Sequence, residues 1–190
     1  MKALAISGSA RARGNTHLLL EKALEPIAAA GIEVQLVGLH NKTILPCTAC
    51  RKCAEDKGHC ILGDDFEEIY AQMVAADALL LGSPVYFGSA SPNIMALLDR
   101  AGYVAYNGDA NPFRRKVGAA LVVARRAGVN FTLAQLQFFF SILNMVVPGS
   151  TYWPVAYGRE KGEVASDAEG MRTAEELGRN VAWLLAKLRD

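Results

Sequence analysis

The sequence lacks cysteine everywhere except in one short segment. All four cysteines of the 190-residue chain lie between residues 47 and 60, in CTACRKCAEDKGHC. Four neighbouring thiols are consistent with disulfide pairing, with a metal or cluster site, or with a redox couple. Structural disulfides are rare in reducing compartments. If the protein is cytoplasmic, the segment therefore indicates metal binding or redox chemistry rather than covalent cross-linking.

Long hydrophobic runs are also absent, and this bears on location. No apolar run approaches the ~18 residues that a membrane helix requires. The N-terminal MKALAIS has the charge and apolar start of a signal peptide, but its apolar part ends at Ile6. A signal peptide's apolar region spans roughly 7 to 15 residues. We therefore expect a first buried strand of a cytoplasmic protein that has no membrane partner.

The chain has no excess of charge of either sign. Twenty basic and 19 acidic residues give a formal net charge of +1, which provides no electrostatic reason to expect a nucleic-acid partner. Hydrophobic residues make up 52% of the chain. That composition and length predict one domain over residues 1–190 that buries roughly 70% of its unfolded surface.

Extended and helical patterns alternate about five times along the chain. The apolar spacing of three and four residues that starts at Thr16 is typical of a helix, and similar spacing recurs after each extended segment. The predicted strands cover residues 2–7, 32–39, 77–83 and 116–124, and residues 145–153 are expected to form a fifth strand or an extended segment. They are apolar on both faces, which indicates an α/β fold with a doubly wound parallel sheet covered by helices on both sides.

Three of the helix starts are predicted from capping residues. Asp65 with Glu68, and Ser166 with Glu169, have the spacing of a capping box. Ser91 followed by Pro92 combines a capping hydroxyl with a residue that needs no N–H donor. A further helix is expected over residues 131–143.

The segment SGSARARGNTH, residues 7–17, follows the first strand. It contains neither the G-x-G-x-x-G fingerprint of dinucleotide-binding folds nor the P-loop motif. It offers hydroxyls, arginines and the N-terminus of a helix that begins near Asn15, where free N–H groups and the helix dipole favour an anion. We expect a phosphate group here; the alternative is a glycine-rich surface turn with solvated arginines.

Two further loops follow strands three and four. In GSPVYFGSASP, residues 82–92, aromatic side chains stand between glycines, an arrangement suited to a flat ligand that the backbone approaches closely. The alternative is that Tyr86 and Phe87 pack beneath the next helix. In ARRAGVN, residues 124–130, Arg125 or Arg126 can reach a ligand's carbonyl edge or a second nucleotide's phosphates, or can be solvated surface arginines.

The cysteine spacing is C-x2-C-x2-C-x6-C. Three thiolates two residues apart can face one concavity when the backbone wraps them, as in [4Fe–4S] ligand sets. Bacterial ferredoxins differ, since their last gap is three residues and a proline follows the fourth cysteine. Zinc sites commonly use two separated C-x2-C hooks, although His59 could join three thiolates in one. A cluster, free or redox-active thiols, and zinc all remain open. Arg51, Lys52 and Lys57 would partly offset a cluster's negative charge.

Several segments together resemble the NAD(P)H-dependent FMN reductases of the flavodoxin-like superfamily, and most closely its iron–sulfur flavoproteins. They are SGSARARGNT, GSPVYFGSASPNIMALLDR, the arginine–glycine loop 125–128, the four cysteines, the GDD that follows them, and YGREKGEVASDAEG near the end. The likeness runs through nearly the whole chain. It departs from the family at Met95, where lysine is frequent.

The resemblance implies a flavodoxin-like, five-stranded parallel sheet in the order 2-1-3-4-5. It implies an FMN cofactor whose phosphate is held by residues of the first loop, namely Ser7, Ser9, Arg11, Gly14, Asn15 and Thr16. It implies that the isoalloxazine is bordered by Pro84, Val85, Tyr86, Phe87 and Gly88, and that its pyrimidine edge contacts Ala124, Arg125, Arg126 and Gly128.

By the same resemblance, a cysteine-rich insertion at about residues 40–64 would carry a [4Fe–4S] cluster on Cys47, Cys50, Cys53 and Cys60. NAD(P)H would be the co-substrate, a small molecule or a protein would be the electron acceptor, and the assembly would be a homodimer or homotetramer.

The expected function is therefore an FMN-dependent oxidoreductase that moves electrons from NAD(P)H, or from a reduced carrier, to an acceptor. Hydride transfer to the flavin needs no side-chain acid or base, and we expect His17, His40 and His59 to be surface residues. One alternative is a non-enzymatic carrier of the flavodoxin type, which the net charge of +1 disfavours because flavodoxins are strongly acidic. The other is a zinc-stabilised flavin-binding protein without turnover.

Overall fold

The computed structural model describes residues 1–188, in which strands and helices alternate. The strands are β1 (Lys2–Ser7), β2 (Glu33–Gly38), β3 (Ala78–Tyr86), β4 (Ser89–Ala90), β5 (Val117–Ala124) and β6 (Val155–Tyr157). The helices are α1 (Asn15–Ala29), α2 (Lys52–Glu55), α3 (Phe66–Ala75), α4 (Pro92–Asn107), α5 (Val129–Ile142) and α6 (Ala168–Lys187). Two short 3-10 segments cover Leu39–Asn41 and Glu163–Ser166.

Five strands form a parallel sheet in the order β2-β1-β3-β5-β6, and β4 pairs antiparallel with the end of β3. Because β4 is a short hairpin strand outside this path, the order is the predicted 2-1-3-4-5 with one extra strand in the chain numbering. It is the flavodoxin-like variant of the doubly wound fold. The prediction of an α/β fold with helices on both faces is thus confirmed.

For residues 145–153, predicted to form a fifth strand or an extended segment, the strand alternative is wrong. The last strand of the sheet is β6, Val155–Tyr157. Within the predicted segment, Val146 makes only an isolated parallel bridge to Val117. Pro148 lies inside the segment and Pro154 directly precedes β6. Because proline has no N–H to donate to a ladder, the chain forms a continuous strand only beyond the second proline.

The two faces of the sheet bury separate hydrophobic clusters. Helices α1 and α6 cover one face together with inward residues of β1, β3 and β5, and α3, α4 and α5 cover the other. Helix α6 packs closely on α1 at Gly178, where an added Cβ would lie 2.0 Å from the carbonyl oxygen of Ala23. This close contact holds α1, and therefore the loop before it, against the sheet.

Both predicted capping boxes are replaced by other contacts. Asp65 precedes α3, but its carboxylate accepts the Thr43 N–H at 2.7 Å, while Asp64 accepts the Phe66 N–H at 3.1 Å. Glu163–Ser166 forms a 3-10 turn, so the N-cap of α6 is Asp167, which accepts the Gly170 N–H at 3.0 Å. Short polar side chains bond wherever the tertiary fold places a donor, and this overrides the local pattern.

The predicted start of α4 is in place, with Ser91 at the N-cap and Pro92 in the first turn, but the Ser91 hydroxyl makes no capping hydrogen bond to the helix. No helix within residues 1–188 combines the length and the apolar character needed to cross a bilayer.

Candidate functional site

The loop between β1 and α1 forms a compact turn at the carboxyl edge of the sheet. The Gly8 N–H donates to the Gly82 carbonyl at 2.8 Å, and the buried Ser9 hydroxyl oxygen accepts the Arg11 N–H at 3.1 Å. Helix α1 then begins at Asn15, and its first turn contains no acidic residue. Its first N–H groups lack intrahelical acceptors, so the turn presents donors and a positive helix end to an anion.

Most of the residues predicted to hold phosphate are brought together at this turn. Ser7 ends β1, Gly14 is the N-cap of α1, and Thr16 lies buried in the first turn of the helix. Arg11 is exposed beside them, and its guanidinium donates to the Arg159 carbonyl at 3.2 Å. The turn therefore has donors of three kinds: hydroxyl, guanidinium and backbone N–H.

Asn15 has a role that the sequence did not indicate. Its side-chain oxygen accepts the Gly162 N–H at 2.8 Å, and its side-chain nitrogen donates to the Glu160 carbonyl at 2.9 Å. The amide thus ties residues 158–164 to the start of α1. This segment is not among the predicted site residues, although it belongs to YGREKGEVASDAEG. It borders the phosphate turn by way of Asn15 and Arg11.

Ser83 and Ser91 join the first loop to the hairpin that follows β3. The Ser91 hydroxyl donates to the Gly8 carbonyl at 2.6 Å, and the Ser91 N–H donates to the Ser83 hydroxyl at 2.9 Å. A Cβ at Gly8 would lie 2.7 Å from the Ser91 hydroxyl, so the two loops meet only because residue 8 is glycine. Both serines are buried, and a buried hydroxyl needs such a partner. Neither is among the predicted site residues.

The hairpin between β3 and β4 projects two aromatic side chains from the edge of the sheet. Phe87 has φ +50° and Gly88 φ +79°, which is the positive-φ pair typical of a tight two-residue turn. Phe87 is fully exposed and Tyr86 is 38% exposed, whereas Pro84 and Val85 are half-buried. The alternative in which Phe87 packs beneath the next helix is therefore wrong.

The loop after β5 packs against this hairpin. Gly128 has φ +88°, and a Cβ there would lie 2.8 Å from Val85 Cγ1 and 3.1 Å from Gly88 Cα. Gln135 of α5 fixes the other side of the hairpin by accepting the Ala90 N–H at 2.9 Å. The loops that follow β3 and β5 thus form one continuous edge. Along this edge Ala124 is buried, and Arg125 and Arg126 are exposed.

The cysteine segment lies between the 3-10 turn at Leu39–Asn41 and α3. Ala49 and Arg51 adopt left-handed φ angles of +54° and +62°, so the backbone curls around the thiols. Cys47 and Cys50 are exposed, Cys60 is half-buried, and Cys53 is buried. All four line one small recess.

These thiols have different acidities. The Lys52 backbone N–H and the Thr48 hydroxyl stabilise the thiolate of Cys50 and lower its pKa, whereas burial raises the pKa of Cys53. His59 is not one of the described residues that line the recess. Its ring nitrogen lies 3.4 Å from a Glu67 carboxylate oxygen instead. The candidate ligands for a metal or a cluster are therefore the four thiols, without the histidine.

The fit of this recess to an iron–sulfur cluster can be tested on its donors and its size. Four thiols facing one recess are the donor chemistry that such a cluster takes. The recess holds only about 20 Å³, and across residues 1–188 no three cysteine, histidine or acidic side chains lie close enough together to hold a metal ion. The donor chemistry fits, and a cluster would require the recess to open and the thiols, of which Cys47 and Cys50 are exposed, to rearrange around it.

A buried ion pair joins the cysteine segment to α4. The Arg100 guanidinium lies 2.5 Å from Asp64 and donates to the Cys60 sulfur at 3.2 Å, and both charged side chains are 1% exposed. Burial opposes the charge of Asp64, but the hydrogen bonds from Arg100 and from the Leu45 and Phe66 N–H groups outweigh it and lower the pKa of Asp64. These two residues belong to GDD and LDR, yet their pairing was not predicted.

A large apolar groove lies between α4 and α5, next to the hairpin. Its volume is about 1,040 Å³, and Met95 and Gln135 lie among its lining residues. Its exposed apolar side chains are Tyr103, Tyr106, Phe131, Phe138 and Ile142. An apolar surface of this size beside a candidate site is typical of an interaction surface.

Comparison with known proteins identifies the family. Residues 1–160 match the family described as NADPH-dependent FMN reductase. The chain is 39% identical over 196 residues to an iron–sulfur flavoprotein of Methanocaldococcus jannaschii. It is 33% identical over 197 residues to an iron–sulfur flavoprotein of Methanosarcina thermophila. Each alignment covers the full length of this chain and of the relative. Among solved structures, RosB with a bound formylated riboflavin phosphate intermediate gives a TM-score of 0.74 at 19% identity, over all of this chain and 80% of that one.

The structural similarity establishes the fold alone, whereas the sequence matches span most or all of the chain. The chain therefore belongs to the NADPH-dependent FMN reductase family and, within it, to the iron–sulfur flavoproteins.

Proposed function

We propose that this protein is an FMN-dependent oxidoreductase that takes electrons from NAD(P)H, or from a reduced carrier, and delivers them to a small-molecule or protein acceptor. The observation that carries the proposal is the meeting of three loops, residues 8–14, 84–91 and 124–128, at the carboxyl edge of the sheet. Ligands of open α/β sheets bind at this edge, where the strand order reverses.

The β1–α1 turn would hold the FMN phosphate. Ser9 and Thr16 supply hydroxyls, Arg11 supplies a guanidinium, and the N–H groups of the first helical turn from Asn15 onward supply the positive helix end, since the Gly14 N–H already donates to the Arg11 carbonyl. The amide of Asn15 would act indirectly, because it is already bonded to residues 160–162. It would position that segment beside the phosphate.

The hairpin and the loop after β5 would enclose the flavin ring. Tyr86 and Phe87 offer aromatic surface, and the backbone from Pro84 to Gly88 offers polar groups to the ring edge. Ala124, Arg125, Arg126 and Gly128 would face the pyrimidine edge. The chemistry that bound FMN supplies is acceptance of electrons from a nicotinamide and their release to the acceptor.

The four cysteines would hold a [4Fe–4S] cluster. Their position around one recess, the buried Arg100 on Cys60 and the names of relatives that match the full chain support this. A cytoplasmic location belongs to the same proposal, because a reducing compartment keeps four adjacent thiols unpaired. A second copy of the chain would cover the groove between α4 and α5, giving a homodimer or a homotetramer built from it.

Composition after anaerobic purification tests the cofactors. We expect about one FMN and about four iron and four sulfide per chain, with little zinc. Protein that holds no FMN after incubation with it would overturn the flavin assignment. Zinc in place of iron, or thiols that take up neither, would overturn the cluster assignment and leave the flavin assignment intact.

Turnover tests the enzymatic assignment separately. Steady-state oxidation of NADH and NADPH, with quinones or free flavin as acceptors, should proceed faster than with an equal concentration of free FMN. A rate no higher than that of free FMN, in protein that does carry flavin, would favour the carrier function of a flavodoxin-type protein.

A further inference from the structure

We propose that Arg100 is a positioning residue for the cluster. It would hold a charge-assisted hydrogen bond on the Cys60 sulfur and so raise the reduction potential. This inference rests on the proposed cluster on Cys47, Cys50, Cys53 and Cys60. It assigns a role to a helix residue that lies 40 positions from the nearest of those cysteines in sequence.

The contact is a specific hydrogen bond. Arg100 Nη2 lies 3.2 Å from Cys60 Sγ, within the range for an N–H donor to sulfur. Arg100 is 1% exposed, so water does not compete for this donor or screen its charge. Asp64 balances the guanidinium charge, so the effect on the ligand sulfur comes chiefly from this directed N–H donor, which is strong because the surroundings are dry.

The guanidinium is held in this orientation from three sides. Asp64 accepts from Nη1 at 2.5 Å, the Leu45 carbonyl accepts from the same nitrogen at 3.2 Å, and the Phe66 ring lies 4.1 Å from the guanidinium carbon. A planar fork can satisfy these contacts and reach the sulfur at once, whereas a lysine ammonium is a single point of charge.

The same side chain has a donor left over. Arg100 Nε is buried and has no hydrogen-bond partner among the described residues. Buried polar groups in native proteins are almost always paired, so this N–H is available to a group bound in the recess that Arg100 helps to line.

The expected direction of the effect follows from the charge on the cluster. Reduction adds an electron, and a hydrogen bond to a ligand sulfur stabilises the more negative state, which raises the potential. Lys52 is also close in sequence to the cysteines, but its side chain is 50% exposed and paired with Glu55. Water screens its charge, so it should contribute much less.

Potentiometric titration of the cluster, followed by electron paramagnetic resonance, tests the proposal. Arg100→Lys keeps a positive charge but loses the fork, and Arg100→Gln combined with Asp64→Asn removes both buried charges together. We expect a shift to more negative potential in both, and a much smaller shift in the control Lys52→Gln, whose backbone N–H to Cys50 is retained. A purely structural ion pair would lower stability without moving the potential, and that result would overturn the inference.

A second measurement uses wild-type protein, so its result does not depend on the stability of a variant. Wild-type protein grown with arginine labelled only at the guanidinium nitrogens should show labelled nitrogen coupled to the reduced cluster in pulsed resonance spectra. The coupling should survive Arg51→Lys, which alters the other arginine lining the recess. If wild-type protein carries iron and sulfide but shows no coupling, this inference fails alone. If it takes up neither, the cluster proposal fails and this inference fails with it.

Discussion

Asp64 and Arg100 form a buried ion pair, and each side chain is 1% exposed. Removing one partner of such a pair leaves a buried charge uncompensated. We expect Asp64→Asn to lower the free energy of unfolding by about 3–5 kcal/mol. Urea unfolding measures this. Glu55→Gln, which breaks the exposed pair with Lys52, is the control and should cost less than ~1 kcal/mol.

The stabilising effect of Asp64 should depend on pH in one direction. Its pKa is lower in the folded protein than the ordinary 3.8. Its contribution is therefore complete above the unfolded pKa, and it is lost as the pH falls through the lower folded value. The gap in unfolding free energy between wild type and Asp64→Asn should narrow below about pH 4. A gap that stays constant into acid would contradict this.

Gly128 illustrates a residue whose conformation and surroundings both exclude a side chain. Gly128→Ala must adopt φ +88° and place a methyl group 2.8 Å from Val85 Cγ1. Gly31 has φ +76° with nothing within 4 Å of its added Cβ. Both substitutions should cost about 1–2 kcal/mol of stability from the left-handed backbone.

Only Gly128→Ala should also weaken FMN binding, because only there does the methyl group push the hairpin away from the loop after β5. Quenching of flavin fluorescence measures the affinity. Equal FMN affinities in the two variants would show that this packing does not shape the flavin site.

At the scale of elements, the N-terminus of α1 works together with residues 158–164. Asn15→Asp keeps the acceptor for the Gly162 N–H, loses the hydrogen bond to the Glu160 carbonyl, and adds a negative charge to a helical turn that contains no acidic residue. FMN affinity should fall by about tenfold, since a charge at a partly buried helix end is worth up to ~2 kcal/mol.

Riboflavin, which lacks the phosphate, provides the comparison for this variant. Its affinity should change much less than that of FMN in Asn15→Asp. Asn180→Asp adds the same charge on α6, away from the turn, and should leave both affinities near wild type. Equal losses for FMN and riboflavin would argue against a phosphate at this helix end.

At the scale of the whole molecule, the groove between α4 and α5 is where we propose that a second copy packs. Phe138 and Ile142 are exposed on it, at 66% and 71%. Phe138→Asp and Ile142→Asp should convert the assembly to monomers, because each places a charge in a surface that must become dry. Light scattering coupled to size exclusion measures the mass.

Trp183 is the matched control, since it is equally exposed at 62% but lies on α6, which covers the opposite face of the sheet. Trp183→Asp should leave the mass unchanged. A wild-type mass of one chain, or groove variants that remain dimers, would contradict the proposed interface.

The order of strands and helices could be predicted because the central strands are buried on both faces and read as continuous apolar runs, as in β5. The position of the candidate site followed from the same rule, since loops at the carboxyl ends of parallel strands meet at one edge. The last strand was misplaced because residues 145–153 are as apolar as a strand, while two prolines decide where pairing can occur.

The sequence by itself determined the fold class, the family and the thiol spacing, because these depend on local pattern and on contiguous motifs. Only the tertiary structure decided that Asn15 bonds to residues 160–162, that Ser91 closes the turn on Gly8, and that Arg100 reaches Cys60. Each of these contacts joins residues 40 to 147 positions apart. Which donors and acceptors become neighbours across such gaps is set by how the helices pack on the sheet, and no local pattern encodes it.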